Sequence, residues 1–224
     1  MKEQWCIPPE SNAEFVCATE DVLDVYHRPY CCEYPLLCLD ESSKQHVLET
    51  RQPIKAEPGQ SMRYDYEYER NGVSNLFMIC APLEGWRHVD VTDRRTKVDW
   101  AHCIRDILTV HFPDAPKVTL VQDNLNTHHP SSLYEAFSPQ EAKALLDRCE
   151  FHYTPRHGSW LNIAEIEFSA LRRQCLDRRI ADQQTLRTEI AAWEAQRNES
   201  GIKVNWRFTT ADARIRLKRL YPSI

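Results

Sequence analysis

Two short apolar runs, each ending at an acidic residue, constrain this chain more than any other feature. Leu36-Leu37-Cys38-Leu39 runs into Asp40-Glu41, and Val118-Thr119-Leu120-Val121 runs into Gln122-Asp123-Asn124. A short, nearly continuous apolar run is the pattern of a strand buried on both faces. If two such strands are parallel neighbours, Asp40 and Asp123 emerge at the same carboxyl edge of the sheet, where open α/β sheets place their sites.

The rest of the chain supplies a frame for those strands. Residues 1–35 contain Pro8, Pro9 and Pro29 and read as an N-terminal arm or linker with a short helix over 13–26. Residues 42–62 read as a loop and 63–70 as an exposed strand, with Asn71-Gly72 a turn signal. Runs at 73–81 and 86–92 complete an antiparallel meander with the first strand. A helix over 96–112 is stopped by Pro113 and Pro116. Helices follow over 131–137 and 138–148, the second with Ser138 as N-cap and Pro139 at its first position. A brief strand at 151–153, a loop at 154–158 and helices over 159–176, 183–197 and 210–220 close the chain. Three antiparallel strands followed by alternating strand and helix units describe an α/β, RNase H-like fold. A mixed five-stranded sheet is flanked by helices over 36–180, and 181–224 form a C-terminal helical extension.

Glu165 lies on the helix after the last strand, which lays it across the edge that holds Asp40 and Asp123. Glu167 is its rival, and helical spacing separates them. Leu161, Ala164, Phe168, Leu171 and Cys175 form an apolar stripe. Glu165 flanks it with Asn162, Ser169 and Arg172, whereas Glu167 flanks the opposite side with Ile163, Ala170 and Gln174. The Asn162 edge is the better candidate because it offers amide and guanidinium partners. Each acid alone is commonplace at a strand end or on a helix, so the combination carries the reading. Three uncompensated acids in one place repel one another. Divalent Mg²⁺, or Mn²⁺ in its stead, prefers oxygen ligands, and two ions about 4 Å apart hold the attacking and leaving oxygens of an in-line phosphoryl displacement.

Composition removes competing classes. Five glycines allow neither a dinucleotide-binding G-x-G-x-x-G nor a Walker loop, so no nucleotide cofactor is expected. No run reaches the roughly 20 apolar residues of a membrane helix, and the N-terminus lacks the apolar core of a signal peptide. The chain is therefore expected to be soluble and intracellular, in the cytoplasm. Nine cysteines with no C-x-x-C pair read as reduced thiols. A zinc site from His27, Cys31 and Cys32 has the wrong spacing, and His128, His129, His152 and His157 form no paired motif on one helix. The net charge is −5, but from residue 151 onward thirteen Lys and Arg face eight Asp and Glu. An acidic body with a basic C-terminal third suits an enzyme that holds cations and touches phosphates, or equally a solvated helix face. Arg172 and Arg173 are candidate phosphate contacts. Trp160 is a candidate base-stacking platform or a core residue, and His128 a candidate to orient Asp123.

Asp40-Glu41 after its apolar run, VQDNLNTHHPSSLYEAF and YTPRHGSWLNIAEIEFSALRRQCL together resemble the catalytic domain of bacterial insertion-sequence transposases related to mariner elements. Leu161 to Glu165 stand where that family has Leu-Asn-Pro-Ile-Glu, which supports Glu165 over Glu167. Asn124 and His128 fall on its Asp-Asn-x-x-x-His stretch. The resemblance implies a metal-binding catalytic set of Asp40, Asp123 and Glu165, supported by Glu41, Asn124, His128 and Asn162. DNA contacts are then expected from Arg156, His157, Trp160, Arg172 and Arg173. It implies hydrolysis at transposon ends, transfer of the 3′-hydroxyl into target DNA at TA sites, and a homodimer on DNA. The family's N-terminal helix-turn-helix readers have no counterpart here, so the chain is expected to be a truncated form of the protein, the second reading frame of a split gene or a non-catalytic remnant.

Overall fold

The computed structural model describes Pro8 and residues 10–222. Strands β1 (Leu36–Glu49), β2 (Tyr68–Ala81), β3 (Trp86–Thr92), β4 (Val118–Gln122) and β5 (Cys149–Tyr153) form one sheet in the order β3-β2-β1-β4-β5. β1, β2 and β3 are antiparallel neighbours, whereas β4 runs parallel to β1 and β5 parallel to β4. The helices are α1 (Ala13–Tyr26), α2 (Lys97–Asp106), α3 (Ser132–Ala136), α4 (Pro139–Asp147), α5 (Ile163–Leu171), α6 (Gln183–Glu199) and α7 (Thr210–Arg216). α2 and α5 each widen at the end into a π-helical turn, over Ile107–His111 and Arg172–Leu176. No helix among the described residues is long and apolar enough to cross a membrane.

Alternation along the strands sorts the core into two layers. Leu37, Leu39, Phe77, Ile79, Val118 and Leu120 pack beneath α2, α3 and α4. Cys38, Leu76, Met78, Val89 and Val121 pack on the other face, beneath α1, α5, α6 and α7. The helix read as part of an arm is seated in that second layer, with Phe15, Val22, Leu23 and Val25 buried. The C-terminal segment clasps it. Asn12 N–H donates to the Leu220 carbonyl oxygen (2.8 Å), and Glu20 receives Arg214 and Tyr221 (both 2.8 Å).

The meander differs from its expected form in two respects. β1 does not stop at Asp40 and the segment after it is not all loop: β1 continues to Glu49, paired with β2 along its length. β4 pairs only with Leu36 to Cys38, so Asp40 sits where β1 outruns its parallel neighbour. Nor is Asn71-Gly72 a turn. Gln45 pairs with Val73 and Val47 with Arg70, so Asn71 and Gly72 together oppose His46 as a β-bulge. Gly72 supplies the positive φ of 91° that this requires. The polar run Ser42 to Gln45 forms a strand because the ribbon is held from outside. Lys44 Nζ donates to the Leu176 (2.7 Å) and Arg178 (3.0 Å) carbonyls, and Val47 N–H to that of Ile180 (2.8 Å).

Candidate active site

Side-chain parity puts the carboxylates on one face. Cys38 lies in the α5 layer, so Asp40, two residues on, shares it. Val121 lies in the same layer, and Asp123 follows it by two just past the end of β4. Glu165 stands exposed in the first turn of α5, the helix covering that face. All three line one cleft of about 350 Å³.

α5 is fixed over the edge by Asn162. Its Oδ1 accepts from Ala164 N–H (3.1 Å) as the N-cap, and its Nδ2 donates to the Leu39 carbonyl oxygen (2.8 Å). The side chain is 1% exposed, so Asn162 works behind the cleft, tying helix to strand, and is not presented to it. Tyr26 adds a second tie, its hydroxyl donating to the Leu161 carbonyl (2.7 Å).

Glu41 has the opposite parity to Asp40 and meets His128. The ring Nε2 lies 2.8 Å from Glu41 Oε1, and Nδ1 lies 2.6 Å from Asp123 Oδ1. The ring N–H at Nδ1 is directed at the Asp123 carbonyl oxygen (3.2 Å), which leaves Oδ1 close but without a directed hydrogen bond. Burial pulls the imidazole toward neutrality, but Asp123 and Glu41 outweigh it and raise it to about 9. His128 is therefore a cation at neutral pH, binding the two acids together. It stacks on Trp100 (5.9 Å), whose Nε1 donates to Gln122 (3.0 Å), the residue before Asp123.

Burial raises Asp40 to about 7, helped by the Asp123 and Glu165 charges and opposed by Glu41 N–H, which donates to its Oδ1 (2.8 Å), and by His128. A stability test follows. In metal-free protein Asp40 keeps its proton to about pH 7, but in the unfolded chain only to about pH 4. Between these values the folded state binds more protons, so stability falls as pH rises through the window. Asp40→Asn removes that loss. It is expected to stabilise the metal-free protein on the order of 2–4 kcal/mol at pH 8 and hardly at all at pH 4. Urea titrations at both pH values check this, and an equal difference at both would sink it.

The other expected residues are dispersed. Arg172 lines the cleft from the end of α5. Arg173 is exposed and turns back to the Ser169 carbonyl (3.3 Å). Asn124 is exposed and lines a neighbouring cleft of about 430 Å³ with Leu125, His129 and Tyr153. Arg156 and His157 are exposed in the β5–α5 loop, His157 at a positive φ of 65°. Trp160 packs against the α5 layer and meets Phe208 edge-on (6.0 Å). Glu167 is fully buried, 3.2 Å from Arg87 Nη2 and 2.7 Å from Arg197 Nε. Sequence reading missed Arg95, which lines the acid cleft. Strand direction was the available signal: β3 runs the same way as β1, so the turn after it lies at the same edge as the acids.

A mixed five-stranded sheet of this order with helices on both faces is an RNase H-like fold. Residues 35–187 match the family described as DDE superfamily endonuclease, more than half the chain, and the chain belongs to that family. Its fold is similar to the Mos1 mariner paired-end complex with Mn, at a TM-score of 0.60 and 15% identity over 90% of this chain and 62% of that one. It is likewise similar to the catalytic domain of Mos1 mariner transposase, at 0.57 and 12% over 88% and 91%. For the Mos1 strand transfer complex the values are 0.60 and 15% over 90% and 60%, so the chain spans about three fifths of the length of these assembled relatives. Comparison with curated proteins gives no match. The RNase H-like expectation is thus borne out.

Proposed function

We propose that this chain is the catalytic part of a transposase that cuts DNA at element ends and joins the freed 3′-hydroxyl to target DNA at TA sites, acting as a pair of copies on two ends. The observation that carries the reading is the convergence of Asp40, Asp123 and Glu165 on one cleft from three separate elements. The donor set fits hard divalent cations. It is all carboxylate, Asp123 Oδ1 is buried without a directed partner, and Asp40 is held up by burial and by its acidic neighbours. Among the described residues no group of three or more His, Cys, Asp and Glu side chains is arranged, as they stand, to hold an ion.

Asp40, Asp123 and Glu165 would hold the Mg²⁺ or Mn²⁺ ions, which would supply Lewis-acid stabilisation of the charge that develops at the phosphate. His128, pinned by Glu41, orients Asp123. Arg172 meets the phosphate's negative charge as the strand enters. Asn162 keeps Glu165 in register with Asp40.

Titration calorimetry of Mn²⁺ into wild type and Asp123→Asn tests this. Saturable binding that the substitution abolishes is the expected result. Equal binding by both removes Asp123 from the site. If neither binds, even with a short DNA duplex present, the chain is a non-catalytic remnant.

A further inference from the structure

Arg95 enters the acidic cleft from the turn between β3 and α2. Thr92 pairs with Asn75 and Asn75 with Ser43, so this turn lies level with β1 just beyond Glu41. Its backbone is pinned on both sides. Thr92 Oγ1 donates to the Arg94 carbonyl (2.6 Å) and Asn75 Nδ2 to that of Asp93 (3.0 Å). On the far side Thr96 caps α2, its N–H donating to Asp99 Oδ2 (2.7 Å) while Asp99 N–H donates to its hydroxyl (3.4 Å). The turn thus fixes where the Arg95 side chain begins, at the edge of the sheet that holds the acids.

Eight of the twenty arginines pair with a carboxylate among the described residues: Arg28, Arg51, Arg87, Arg105, Arg178, Arg179, Arg197 and Arg214. Arg95 makes no hydrogen bond, ion pair or ring contact with any described residue, although Asp40, Glu41, Asp123 and Glu165 line the same cleft. An exposed guanidinium that passes over four neighbouring acids is free to meet an incoming anion. A DNA strand approaching those acids meets like charge. A guanidinium offsets it with two parallel N–H donors that match a phosphate's geometry, which an ammonium lacks. Arg172 reaches the cleft from a different wall, the end of α5.

We propose that Arg95 is a phosphate clamp, gripping a backbone phosphate beside the one to be cut and, with Arg172, setting the strand's register across the cleft. The clamp rests on the DNA-processing reading above and assigns a substrate-positioning residue to it.

The test is binding of a short labelled DNA duplex, followed by anisotropy over a salt series, for wild type, Arg95→Ala, Arg95→Lys and Arg94→Ala. Arg94 is exposed but lies outside the cleft lining. Loss of one phosphate contact lowers the slope of log affinity against log salt by about 1. That drop is expected for Arg95→Ala, and wild-type slopes for Arg95→Lys and Arg94→Ala. Cleavage with Mn²⁺ is expected to fall about 10- to 100-fold in Arg95→Ala, with only partial rescue by lysine and an unchanged melting temperature. A wild-type slope in Arg95→Ala, or an equal drop in Arg94→Ala, overturns the clamp while leaving the metal triad standing. Failure of wild type to bind DNA at all overturns the DNA-processing reading, and the clamp falls with it.

Discussion

Glu165→Gln is expected to cost on the order of 10³-fold in DNA cleavage, corresponding to about 4 kcal/mol of transition-state stabilisation. The melting temperature should hardly move. Glu165 is exposed in the first turn of α5, and its charge acts on Asp40 across the cleft. Glutamine keeps its shape and helix propensity but surrenders the anion on which a hard cation depends. Because the side chain supports no packing, the folded state should survive intact. A plasmid-nicking assay with Mn²⁺ beside a thermal melt separates the two quantities. Cleavage within a few-fold of wild type would remove Glu165 from the chemistry.

Two positions along the same helix the pattern inverts. Glu167→Ala is expected to destabilise the protein by about 3–5 kcal/mol, which for a chain of this length is a fall in melting temperature of roughly 10 °C. Glu167 is fully buried, and its two oxygens receive Arg87 (3.2 Å) and Arg197 (2.7 and 3.0 Å). Arg87 is itself buried and also donates to the carbonyls of Gly85 (2.6 Å) and Ile202 (2.8 Å). Removing the carboxylate strands a guanidinium inside the protein between β3, α5 and α6. Urea denaturation measures the loss, and a value under about 1 kcal/mol would show that the network relaxes without it.

That contrast marks what the residue pattern can reveal. The helical spacing that set Glu165 and Glu167 on different edges of α5 placed one at the cleft and the other in the core, because a helix face has a fixed angular period. The ends of the two apolar runs did the same for Asp40 and Asp123, which line one cleft. What stayed hidden depended on partners distant in sequence. Ser42 to Gln45 has no apolar alternation to announce a strand. Its pairing is fixed by β2 and by carbonyls near residue 178. Asn71-Gly72 has the composition of a hairpin turn, and only the register against His46 makes it a bulge. Asn162 looked like a ligand for the cleft because wheel geometry treats it as helical. As an N-cap it turns inward to Leu39 instead. Arg95 was missed because a charged turn residue has no pattern of its own until strand directions are known.

The clasp between α1 and the C-terminal segment has a consequence for how the fold closes. Its bonds join residues separated by 186 to 208 positions, nearly the whole chain. Closing so long a loop adds little to the equilibrium cost, since the entropy grows only with the logarithm of length, but such contacts are slow to find. α1 therefore cannot be fully secured until α7 and Leu220 are in place. Damage to the last turn of the chain will be felt first at its other end, where an uncovered apolar helix face would loosen the layer that carries Glu165.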